Sequence, residues 1–226
     1  MKKVIFSLIA TVFMGVSSVN AQSIKPSEYG FYHNEAIILY SKAYMDEKTD
    51  LSKVSINSIA EGMKTELQKK YPTVFKNVDL AGVQEHYKNY STVSSYDFVS
   101  DWNKNKALYL SKGYVTKLTY GFIDDAIKND LDYKALSSKI EEISKNNVLS
   151  NEEKIAFEVA KSVLSSSYEL WKSSNNVSTQ KRNHCNGRII ISDVGAALMF
   201  APAPYLSLIA GGISSLITAY SDGHCK

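Results

Sequence analysis

Across 226 residues the chain sets 26 lysines and arginines against 23 aspartates and glutamates, a formal net charge of +3, with 44% hydrophobic and 22% charged residues. That balance excludes a disordered chain and one built of membrane spans throughout, and it supplies no electrostatic footprint for nucleic acid.

The first 21 residues, MKKVIFSLIATVFMGVSSVNA, follow Lys2 and Lys3 with an apolar run from Val4 to Val16 and place Val19 and Ala21 where a signal peptidase reads. Cleavage is expected between Ala21 and Gln22, giving a secreted or periplasmic protein of about 205 residues, long enough for a sizeable core. No cysteine follows Ala21, which disfavours a lipid anchor. Loss of the two lysines lowers the formal charge from +3 to +1.

From residue 22 to 172 helical periodicity recurs and strand alternation does not, so this stretch is expected to form an antiparallel helical body. Tyr32, Ala36, Leu39, Tyr40 and Ala43 fall on one helical face, and Ile56, Ile59, Ala60, Met63 and Leu67 on a second. Lys69-Lys70 followed by Tyr71-Pro72 closes that second helix. Val115, Leu118, Phe122 and Ala126 form a third stripe, expected to continue a helix that begins near Tyr96; Tyr133, Leu136, Ile140 and Ile143 form a fourth. Ser150 and Glu153 read as a capping box opening a helix with Ala156, Val159, Ala160, Val163, Ser167, Leu170 and Trp171 inward.

Residues 173–187, SSNNVSTQKRNHCNG, lack periodicity and read as a polar linker. Residues 188–226 then read as an apolar helical hairpin packed on or in the body. No charged residue occurs from Val194 to Tyr220, and Pro202 and Pro204 split the segment into pieces of roughly 189–201 and 205–220. Ser207, Gly211, Ser215 and Ala219 recur every fourth residue as a small-residue ridge for close helix packing or, in a membrane, for helix association.

Cys185 and Cys225 are the only cysteines; in an exported chain, with the hairpin bringing its two ends together, they are expected to form a disulfide. Closing that loop stabilises by roughly 4 kcal/mol in the chain-entropy model. His184, Cys185, His224 and Cys225 form a rival Cys2His2 metal set, disfavoured because adjacent residues point apart and zinc ligands usually stand two to four residues apart. No cofactor is implied. His33 reads as a capping or packing residue, because Ile37 stands where a His-Glu-x-x-His motif needs its second histidine. His86 beside Glu85 reads as solvated surface, as do the doublets Asp124-Asp125, Glu141-Glu142 and Glu152-Glu153. No nucleophile elbow, phosphate-binding glycine loop or dinucleotide fingerprint is present. Fifteen tyrosines against eight phenylalanines suit wet-edged packing or a binding surface, and Tyr87, Tyr90 and Tyr96 cluster in a polar region.

"YGFYHNEAI" near the expected mature start and "ISDVGAALM" opening the small-residue tail resemble a diffuse group of uncharacterised exported bacterial helical proteins with a small-residue-rich C-terminal segment. The resemblance implies an exported helical protein and brings no activity or catalytic residues. The expectation is therefore an all-α antiparallel helical bundle with a C-terminal disulfide-closed hydrophobic hairpin. It would be a non-enzymatic binding or interaction protein whose partner is a protein or an envelope component. The alternative is a membrane-active protein, bacteriocin-like or pore-forming, that inserts the 189–220 hairpin.

Overall fold

The computed structural model describes residues 24–46, 48–146, 148–172, 179–201 and 203–221, and among them the periodic stripes become ten α-helices and three single 3-10 turns. In chain order the helices are α1 (Tyr29–Tyr44), α2 (Ile56–Lys70), the single turn α3 (Pro72–Phe75), α4 (Ala81–Tyr87), α5 (Phe98–Ser111), α6 (Lys117–Lys128), α7 (Tyr133–Ser144), α8 (Asn151–Lys172), α9 (Thr179–Phe200) and α10 (Pro204–Ser221). The described residues hold no strand, only one antiparallel bridge between Ser55 and Thr92.

Short side-chain caps fix where the helices begin. Asp97, Thr116 and Asp132 accept from the backbone N–H three residues on, at 2.7, 3.2 and 2.8 Å, satisfying donors that a helix leaves open. The expected box at α8 is present: Glu153 N–H donates to Ser150 Oγ at 3.2 Å and Ser150 N–H to Glu153 Oε2 at 3.0 Å.

The single helix expected from Tyr96 through Ala126 is instead two. Gly113, at φ 73°, ends α5 with Tyr114 N–H donating to the Tyr109 carbonyl and Gly113 N–H to that of Leu110. This is a Schellman stop, and the left-handed residue it requires is one glycine adopts without strain. Asp130 repeats the geometry after α6 at φ 46°.

Most of the expected faces point inward. Ile56, Ile59, Ala60, Met63 and Leu67 are all buried on α2, and Ala156, Val159, Ala160, Val163 and Ser167 on α8. On α1 the buried face is rotated from the expected one: Tyr29, Gly30, His33, Ala36, Ile37 and Tyr40 are inside, while Ala43 is exposed. The rotation follows from Gly30, where a Cβ would lie 2.1 Å from the Ser162 carbonyl oxygen; only a glycine lets α1 approach α8 so closely.

The apolar C-terminal segment forms the expected helical pair, broken where α9 ends at Phe200 and α10 begins at Pro204. It lies at the centre of the molecule. α9 packs on α10 and α8, and α10 packs on α1 and α2. Leu208, Ile209, Ala210 and Ile213 are wholly inaccessible. The polar stretch expected to be a linker is helical from Thr179 onward, since α9 starts there rather than at residue 188. Residues 179–187, TQKRNHCNG, carry no apolar period, so composition hid that start. Among the described residues no helix is long and apolar enough to cross a membrane.

Candidate functional site

Two carboxylates lie inside this core, on different helices and with different partners. Asp193, in the middle of α9, and His33, in the first half of α1, are both completely inaccessible, and His33 Nε2 stands 3.8 Å from Asp193 Oδ1. The other oxygen, Oδ2, accepts from the Ser167 hydroxyl of α8 and, at 3.0 Å, from that of Ser215 on α10. Trp171 Nε1–H donates to Ser215 Oγ at 3.0 Å, which leaves the Ser215 proton for the carboxylate. Four helices therefore meet at one charged side chain.

The small-residue ridge supplies the room. A Cβ at Gly211 would come 3.1 Å from His33 Cδ2, so the imidazole occupies the space this glycine leaves. Ser215 binds Asp193, Ser207 donates to the Ala197 carbonyl at 3.1 Å, and Ala219 is half-buried near the end of α10. The ridge is a packing surface that also carries hydroxyls inward.

Serine, aspartate and histidine at one point invite comparison with a hydrolytic triad. In a triad the imidazole stands between nucleophile and carboxylate, whereas here the carboxylate stands between serine and imidazole. Ser167 is also wholly inaccessible, so a substrate has no approach to it.

Asp101, on α5, is the second buried carboxylate, and it opens toward solvent. Tyr90 and Tyr109 donate their hydroxyls to its two oxygens at 2.5 Å each, and Asn105 Nδ2 donates at 2.8 Å. Burial first, then the hydrogen bond to Asp101, pushes both phenols well above their ordinary range, because an ionised phenol would face a carboxylate. Beside this cluster a shallow groove of about 300 Å³ runs along Tyr90, Ser94, Ser95, Tyr96, Asp97 and Ser100, with Asp101 at its base and Lys104 on its rim. Arg188 of α9 reaches the same region, 3.5 Å from Asp97 Oδ2.

Of the tyrosines expected to cluster, Tyr87 and Tyr96 are buried and Tyr90 is half-buried, and Tyr90 and Tyr96 both line the groove. His86 is not solvated surface: it is half-buried and edge-on to Tyr87, Tyr96 and Phe200, and burial lowers its pKa against the opposing pull of Asp101. Asp124 holds Lys106 at 2.5 Å and Lys128 at 2.6 Å, a surface ion-pair network that keeps its carboxyl down at about 2. The expected Cys185–Cys225 clasp and the rival set with His184 and His224 lie outside the described residues: Cys225 and His224 entirely, Cys185 and His184 in their side chains. Among the described residues no group of three or more His, Cys, Asp or Glu side chains is placed to hold a metal.

Asp101 and Asp193 were the residues that sequence reasoning missed. Asp101, Asn105 and Tyr109 recur every fourth residue on one face of α5, and Asp193 is a lone charge beside an uncharged run. No family model, no curated protein and no solved structure matches the chain.

Proposed function

We propose that this is an exported, non-enzymatic binding protein of the cell envelope or extracellular space, its C-terminal hairpin closed by a Cys185–Cys225 disulfide. Its recognition surface is the groove over Asp101, and its partner is a polar envelope component. The observation that carries the reading is the arrangement of that groove. It offers three serine hydroxyls, two tyrosines, two carboxylates and an ammonium around a base held rigid by Tyr90, Tyr109 and Asn105. Rigid aromatic and hydroxyl groups over a fixed carboxylate suit a hydrogen-bonding ligand such as a glycan chain better than an apolar one. The sealed Ser167–Asp193–His33 cluster supports a role without catalysis at that point, and the enclosure of α10 favours binding over membrane insertion.

The test is co-sedimentation of the mature chain with isolated envelope material, compared with a Tyr90→Ala, Ser94→Ala double variant. Retention by the wild type and loss by the variant is the expected result. Equal retention would remove the groove from the reading. Dye release from lipid vesicles by the mature chain would replace binding with insertion of the hairpin.

A further inference from the structure

The hydrogen bonds around His33 fix which ring nitrogen holds a proton in the neutral imidazole. Asn34 Nδ2 donates to the Ser166 carbonyl at 2.7 Å, which turns the amide oxygen of Asn34 toward His33 Nδ1, 3.1 Å away. That oxygen can only accept, so Nδ1 carries a proton. A neutral ring would then hold its lone pair on Nε2, facing Asp193 Oδ1. The hydroxyls of Ser167 and Ser215 on its other oxygen favour Asp193 as the carboxylate, and an ionised carboxylate has no hydrogen to offer Nε2. Neither Nε2 nor Oδ1 has a partner within normal hydrogen-bond distance and angle, and both are sealed from water. Two lone pairs opposed at 3.8 Å in a dry core are repulsive, whereas a proton on Nε2 makes the same contact an ion pair.

We infer that His33 and Asp193 form a proton-operated latch on the central hairpin: doubly protonated His33 holds α9 to α1, and loss of its Nε2 proton loosens α9 and α10 within the body. This stands independently of the groove and its ligand.

The surroundings leave the latch to this pair. Against His33, α8 presents Ser166 and Trp171 behind Asn34 and Ser215, α10 presents Gly211, and α2 touches the neighbouring Gly212 through Met63. Asp193 is the charged group that acts on the ring, while Glu35 on the same helix turns outward to Lys70 and Tyr71. Burial pulls the His33 pKa down; the Asp193 charge, with the Asn34 amide oxygen and the Gly211 backbone accepting from the ring, outweighs it and leaves the pKa raised. A raised histidine contributes stability that is fully present below its unfolded value of about 6.5 and is lost as pH rises through the folded value.

The experiment is an NMR titration of the His33 ring in the mature chain, assigned by its absence in His33→Gln. It is paired with amide exchange protection across 207–218, corrected for intrinsic exchange, from pH 6 to pH 9. His33 is expected to titrate above about 6.5, with hairpin protection falling by up to tenfold per pH unit between that value and the folded one. His33→Gln is expected to lose that pH dependence. If the single variant fails to fold, the paired His33→Gln, Asp193→Asn change removes both charges and serves in its place. A His33 ring titrating at or below the ordinary value overturns the latch, as does unchanged pH dependence in the variants.

Discussion

Asp193 and Asp101 are both buried carboxylates, and the molecule handles them in opposite ways. Asp193 faces a cation across a sealed core, and Asp101 is surrounded by neutral donors at the base of an open groove. The difference teaches what each position is for. A charge pair in a dry interior ties stability to the protonation of its partner, whereas phenols and an amide hold a carboxylate without a charged partner.

Removing each carboxylate in turn separates the two settings most widely. Asp193→Ala leaves His33 buried and uncompensated, and is expected to cost about 3–5 kcal/mol in chemical denaturation. Asp101→Ala strands the neutral donors of Tyr90, Tyr109 and Asn105 and leaves no buried charge unpaired, so it is expected to cost about 1–3 kcal/mol. If the second loss exceeds the first, the contrast between sealed pair and solvated cluster is wrong. Alkaline pH separates the sites again. Tyr90 and Tyr109 hold their protons more tightly folded than unfolded, so stability should decline as pH rises above about 10. Absorbance at 295 nm during that titration should show phenolate appearing together with unfolding, and an earlier phenolate signal from these two residues would argue against their grip on Asp101. The smallest effect belongs to Tyr90→Phe, which removes one half-exposed donor and is expected to cost about 1 kcal/mol. A thermal melt indistinguishable from wild type would mean that this hydroxyl contributes nothing to holding the base of the groove.

Much of the fold was legible because hydrophobic spacing reports burial directly. The α2 stripe, the Ser150–Glu153 box and the break at Pro202 and Pro204 each follow from local chemistry. The α1 face was misplaced because Gly30 and His33 do not count as apolar, yet both point inward. Gly30 does so by having no side chain, and His33 by having a carboxylate to meet. Gly113 was the stop signal inside what looked like one long helix. The candidate site was hardly legible: Asp101 and Asp193 are polar residues whose partners come from other turns or other helices, and a list of residues does not show which charges will be enclosed together. His86 is hidden for the same reason, since its ring meets Tyr87, Tyr96, Tyr109 and Phe200 from four places in the chain.

The central position of α10 has a further consequence. Every helix that wraps it comes earlier in the chain, so α1, α2 and α8 leave the ribosome before the surface they bury against exists. Until the hairpin arrives, their inward faces have only one another, and the body is left with an incomplete core. The polar contacts of Asp193 then act as a gauge for the late arrival. If α9 slid by one turn, the carboxylate would leave Ser167, Ser215 and His33 and face apolar side chains. The core thus closes last and in one alignment, so completion of the fold waits on the segment that carries its least polar sequence.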